Sequence, residues 1–142
     1  MSNTRLDQKL VDAAIELMNR RFPKDGEAGA AAMYTEEGEL LTSVSPDIPN
    51  WVAGLCHETG AICEAYKLGH KVTASVCVSR SANSDKILIL TPCGICQERL
   101  FMWGPDVEVA VPDPEDASKW IAKKLSEVQP YYWYKVFLDK NE

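Results

Sequence analysis

An α/β fold, one sheet with helices against its faces, is predicted by three features of this 142-residue chain. Short runs rich in Val, Ile and Ala alternate with longer amphipathic segments, the pattern of a sheet covered by helices. Gly and Pro clusters separate those runs at close intervals. No internal repeat, low-complexity tract or linker interrupts the order, so residues 1–142 are expected to form a single domain, long enough to bury a core.

The elements follow in order. Leu6, Leu10, Ala13, Ala14, Leu17 and Met18 recur at helical spacing, and residues 6–21 read as an amphipathic first helix. Phe22-Pro23-Lys24-Asp25-Gly26 breaks it. The apolar runs 28–34 and 40–44 flank Thr35-Glu36-Glu37-Gly38-Glu39, a hairpin signature. Pro46, Asp47, Pro49 and Asn50 make residues 45–54 a loop. A second helix is expected from about Cys56 to Gly69. The β-branched run 72–78 and the apolar run 86–90 are strands, joined by a polar connection. Residues 93–103 read as a short helix closed by Gly104-Pro105. A strand over 107–111 and a last helix over 114–127 precede an aromatic tail, Tyr131-Tyr132-Trp133-Tyr134.

Net charge is −6, which argues against a nucleic-acid polymer as partner, because phosphate contacts need clustered Lys and Arg. It suits a small neutral or cationic molecule. No apolar run approaches the roughly 20 residues of a membrane span. Met1-Ser2-Asn3-Thr4-Arg5 lacks the apolar centre of a secretory signal, so a cytoplasmic location is the expectation. In that setting five cysteines read as metal or thiol chemistry rather than a disulfide framework. Cys63 and Cys77, among apolar neighbours, are expected to be buried packing residues. His70 is expected to be a solvated residue at a helix end.

Cys56-His57-Glu58 and Pro92-Cys93-Gly94-Ile95-Cys96 carry the chemistry. Both cysteine groups fall at predicted helix starts, whose partial positive charge favours thiolates. Cys56, Cys93 and Cys96 can supply three ligands to one Zn²⁺, and three protein ligands leave an open position for a water. Glu58 then stands as the group that takes a proton from that water and passes it on. A Cys or His, one residue, a Glu, and later Pro-Cys-x-x-Cys is the pattern of zinc nucleobase deaminases. A structural zinc knot is the competing reading, with His57, His70, Cys63 or Cys77 as a fourth ligand. A redox dithiol at Cys93 and Cys96 is another, but gives Cys56 and Glu58 no role.

Cys-His-Glu-Thr-Gly-Ala-Ile at 56–62 and Pro-Cys-Gly-Ile-Cys-Gln-Glu-Arg-Leu at 92–100 resemble the cytidine deaminase family, whose small members include blasticidin S deaminase. The resemblance extends over roughly residues 5–134 through the hairpin 30–42, the strand 74–78 and the step Gly104-Pro105-Asp106-Val107. It implies a three-layer α-β-α sandwich with a mixed sheet of about five strands. It implies one zinc per subunit on Cys56, Cys93 and Cys96, with Glu58 as proton shuttle. A homo-oligomer is also implied, a tetramer ahead of a dimer. The substrate would be a small nucleoside, deaminated to a uracil-type product with release of ammonia, as in pyrimidine salvage.

Departures from the family pattern concern the substrate. Residue 57 is usually Ala, whose backbone helps hold the ring; His57 adds a side chain. Ser45 and Asp47 stand where Asn and Glu usually bind ribose hydroxyls, so they are candidate substrate contacts, with a plain turn around Pro46 as the alternative for Asp47. The aromatic residue expected on the first strand is missing from Gly26-Glu27-Ala28-Gly29. No Arg follows Cys96 or Glu58 directly, leaving Arg99 or His57 to offset three thiolates. Trp133 in the aromatic tail is a candidate pocket residue, against a role as anchor. Phe101, Met102 and Trp103 read as core or interface. A modified nucleoside or an antibiotic such as blasticidin S is the alternative substrate, and a non-catalytic zinc-binding module the alternative of another class.

Overall fold

The computed structural model describes residues 5–138; Met1-Ser2-Asn3-Thr4, read above as lacking the apolar centre of a secretory signal, lie outside it. Helix α1 (Gln8–Arg21) turns Leu10, Val11, Ala14 and Met18 inward. Its N-cap Asp7 accepts from the Leu10 N–H at 2.9 Å and from the Tyr34 hydroxyl at 2.8 Å, which fixes the helix start to the next strand.

Strand β1 (Ala28–Thr35) is buried at all eight positions, because helices cover both of its faces. It pairs antiparallel with β2 (Leu40–Ser43) through a turn in which Gly38 takes φ +83°, a left-handed conformation that favours glycine. On its other side it pairs antiparallel with β3 (Val72–Arg80), which follows helix α2 (Thr59–Leu68).

The far edge of β3 is shared between two partners. Ala74 and Ser75 pair in parallel with β5 (Glu108–Asp113), while Cys77, Val78 and Ser79 pair antiparallel with the short β4 (Leu88–Leu90). The two partners part at Val76. Leu90 lies opposite Cys77, so the chain leaving β4 emerges there and enters helix α3 (Gly94–Leu100) within four residues. A crevice at such a break in the sheet is a usual ligand site.

The sheet order is β2-β1-β3-β5-β6, with β4 paired to β3, six strands of mixed direction. The sixth strand corrects the sequence reading. Residues 114–127 do not form one helix; Asp116–Lys124 is strand β6, antiparallel to β5, and only Leu125–Val128 turn into a short helix, α4. Helix propensity from Ala and Lys is a weak preference, and β5 offered an unpaired edge to satisfy. Lys119, Lys123 and Lys124 keep the new edge exposed and charged, a guard against further pairing.

Helix α1 packs with Ala30, Ala32, Tyr34, Ala74, Val76 and Val78 on one face. On the other, α2 and α3 meet Met33, Val72 and Val109. The result is a three-layer α-β-α sandwich. Alternation along β3 therefore turns Ser75 and Cys77 toward α2 and α3. No helix among the described residues is long and apolar enough to cross a membrane.

Candidate active site

Cys56, His57 and Glu58 do not begin a helix, as the sequence suggested, but form the turn that leads into α2. The Ser43 hydroxyl at the end of β2 donates to the His57 carbonyl at 2.5 Å. A Cβ on Gly60 would stand 2.8 Å from that of Ser43, so glycine permits this close approach of β2 and α2. Cys93 caps the N-terminus of α3 and Cys96 lies in its first turn. Arg99 joins the two helices, donating from Nη1 to Thr59 Oγ1 at 2.9 Å.

The Sγ atoms of Cys56, Cys93 and Cys96 lie within 4.8 Å of one another, and those of Cys56 and Cys93 are 3.3 Å apart. Zn–S bonds of about 2.3 Å span such separations. All three cysteines are free. Donor chemistry and spacing thus fit one zinc ion. Among the described residues no fourth Cys or His joins the cluster, which disfavours a closed structural knot.

Glu58 is buried beside the cluster, 3% exposed. Burial raises its carboxyl above the ordinary range, while hydrogen bonds from its backbone, Cys96 and Cys77 and the charge of Arg99 pull the other way. Burial also raises the thiols of Cys56, Cys77 and Cys96, the Glu58 charge being the next cause for the last two. Burial pushes Cys93 up as well, but hydrogen bonds at the head of α3, from the backbone of Cys96 and Ile95 among others, outweigh it and bring that thiol down.

Of the two candidates for offsetting three thiolates, Arg99 is the cation that acts on Glu58. His57 is partly buried, and burial lowers its pKa, which favours the neutral ring. Gln97, where an Arg was expected, instead donates to the Pro92 carbonyl at 2.7 Å and accepts from Gln129 at 2.6 Å.

Ser45, Asp47 and His57 come together in a cavity of about 710 Å³, linked to the cysteine site through His57, the neighbour of Cys56 and Glu58 in the chain. Trp133 does not line it. That side chain donates to Glu98 at 2.9 Å in a second cavity, of about 860 Å³, where Tyr132 stacks on Phe101 with ring centroids 3.7 Å apart. Two expectations are corrected. Cys63 is exposed, because the buried face of α2 is Ala61, Ile62 and Ala65. His70 is not simply solvated but bonds through Nδ1 to Glu39. Cys77 is buried as expected, yet it reaches the site: burial first, then the charge of Glu58, raise its thiol. Strand alternation from Ser75 was the signal available for that.

The three-layer sandwich gathers three thiols and one buried carboxyl ahead of α2 and at the head of α3, and so defines an α/β protein whose three-cysteine cluster could hold one zinc ion. No family model matches the chain. It is 44% identical to the cytidine deaminase from Bacillus anthracis, whose crystal structure superposes with a TM-score of 0.87 over 94% of this chain and 93% of that one. The chain belongs to the cytidine deaminase family. It is also 27% identical over 128 residues to the blasticidin-S deaminase of Bacillus cereus, covering 87% of this chain and 89% of that protein. The cytidine deaminase from Mycobacterium leprae shares the fold, with a TM-score of 0.66 at 22% identity over 87% of this chain and 96% of its own.

Proposed function

We propose that the chain is a zinc-dependent aminohydrolase that removes the exocyclic amine of a cytosine-type nucleoside or nucleoside analogue. The products are ammonia and a uracil-type ring. One observation carries the reading: three sulfurs gathered within 4.8 Å with the buried Glu58 beside them.

Cys56, Cys93 and Cys96 would hold the ion. Bound zinc supplies Lewis acidity that activates water near neutral pH. Glu58 moves the protons: it accepts one from the attacking water and delivers it to the ring nitrogen, then takes the second from the hydroxyl newly bonded to the ring carbon and gives it to the departing amine. Its burial suits that task, since a carboxyl raised toward neutrality can both take and give a proton. The His57 backbone, held by Ser43, positions the ring.

Ammonia release from cytidine, deoxycytidine, 5-substituted cytidines and blasticidin S by the zinc-loaded protein tests this. Glu58→Gln should lower kcat by about 10²–10⁴ with zinc still bound. Undiminished turnover in that variant would sink the shuttle assignment. A modified nucleoside or antibiotic remains the second reading, favoured by Ser45 and Asp47 in the cavity and by the blasticidin-S deaminase relative. Protection of cells by the gene against blasticidin S separates it from pyrimidine salvage.

We further assign the chain to a single cytoplasmic domain that assembles into a homotetramer. The exposed Trp51, Val52, Tyr131 and Trp133 supply apolar surface for that assembly. Trp133 is assigned to closing a neighbouring subunit's pocket. Sedimentation of a monomer at micromolar concentration would refute the tetramer and, with it, the Trp133 assignment.

A further inference from the structure

The cavity that holds Ser45, Asp47 and His57 is lined by none of the three cysteines and not by Glu58. It is an annexe, with a wall that continues through Glu27, Ser79 and Arg80. His57 stands at the border. Its backbone belongs to the turn between Cys56 and Glu58, and its ring lies in the annexe.

Two neighbours fix that ring. The Ser45 N–H donates to Nδ1 at 3.0 Å. Gly29 on β1 supplies the clearance: a Cβ there would overlap Nε2 and stand 2.8 Å from Cδ2 and Cε1. A backbone amide only donates, so Nδ1 is the bare nitrogen, and a neutral ring carries its proton on Nε2. Nε2 has no protein acceptor among the described residues, and it is not among their buried polar atoms left without a partner. It therefore keeps accessible surface, on a residue that lines the annexe.

Arg80 is no competing donor. Its N–H groups are taken up by Asn19 Oδ1 at 3.4 Å and by the carbonyls of Phe22, Pro23 and Gly26 at 3.0–3.3 Å. Arg80 builds the wall, and His57 presents a free donor on a ring that Ser45 and Gly29 hold in place.

We propose that the His57 side chain determines specificity: its Nε2–H, set by Ser45 and admitted by Gly29, donates to an acceptor oxygen on the glycone that lies beyond the deaminated ring. This rests on the deaminase reading above and names the part of the substrate that the annexe recognises. A directed donor whose partner is missing from a substrate discriminates more sharply than apolar packing does.

The test uses the zinc-loaded protein with cytidine, a cytosine N-glycoside of a sugar acid, and free cytosine as competitor. His57→Leu should raise KM for the glycosides about tenfold with kcat nearly unchanged, while cytosine affinity moves less than about twofold. His57→Gln, which returns an N–H donor, should recover part of the loss. Gly29→Val combined with His57→Ala exchanges the large and small partners; it should keep zinc and cytosine affinity but not glycoside affinity. An unchanged KM in His57→Leu, or equal losses for glycosides and cytosine, overturns the proposal in favour of a structural role. Nitrogen-15 NMR of the wild-type ring should find the proton on Nε2 and shift when uridine is added but not uracil. A ring protonated on Nδ1 overturns the inference even if the enzyme is active. Wild-type protein silent on every amine substrate overturns the deaminase reading instead, and the NMR measurement still decides the role of His57.

Discussion

Glu58, with 3% of its surface exposed, is influenced by Cys77 as well as by Cys96 of the candidate metal cluster. Cys77→Val nearly conserves volume, so stability should change by under about 1.5 kcal/mol. Losing the thiol that perturbs Glu58 should nevertheless lower kcat by up to about tenfold, roughly 1.4 kcal/mol of transition-state stabilisation. Steady-state kinetics beside urea unfolding would check both halves. Cys96→Ser should cut bound zinc well below one ion per chain, read by metal analysis after dialysis. Zinc affinity itself should fall as pH falls, because raised thiols on Cys56 and Cys96 must give up protons to bind. That Cys56, Cys93 and Cys96 form one candidate cluster, with Glu58 as its candidate carboxyl, was legible from motif spacing alone. Cys77 was not, since its meeting with Glu58 depends on strand phase and on where β4 and β5 part.

At the scale of elements, Asp7 shows how one residue couples two. It caps α1 and accepts from Tyr34 of β1, so Asp7→Ala should cost about 2 kcal/mol in chemical denaturation, about one for the cap and one for the second bond. Burial first, then Asp7, pushes the Tyr34 phenol up to about 12 from 10.0. The folded chain therefore keeps a proton that the unfolded chain releases. That stability is whole below the unfolded value and is lost as pH rises through the folded one. Unfolding free energy should thus fall between about pH 10 and 12. Tyr34→Phe should reduce the slope without abolishing it, because Tyr132 is pushed up to about 12 by burial and Glu98. Strands β1 to β5 and the helices around the cysteines follow their sequence periodicity. Residues 116–124 do not, since the open edge of β5 outweighed local propensity, and edge pairing is a non-local fact.

Across the whole molecule, Arg80 ties the far end of β3 to the loop that follows α1. It is 3% exposed, and no carboxylate pairs with it among the described residues. Arg80→Met should cost about 3 kcal/mol, from loop carbonyls left without donors, and should loosen the annexe wall. Thermal unfolding and glycoside KM would report the two effects separately. The sequence by itself determined the α/β class and the family, and marked Cys56, Glu58, Cys93 and Cys96 as the candidate site, because each motif is a short run of residues with its own periodicity or spacing. Only the tertiary structure decided that β6 is a strand, that Cys77 and Arg99 attend Glu58, and that the His57 ring occupies the space Gly29 leaves. Those depend on contacts between residues far apart in the chain, which packing and strand pairing settle and local spacing does not encode.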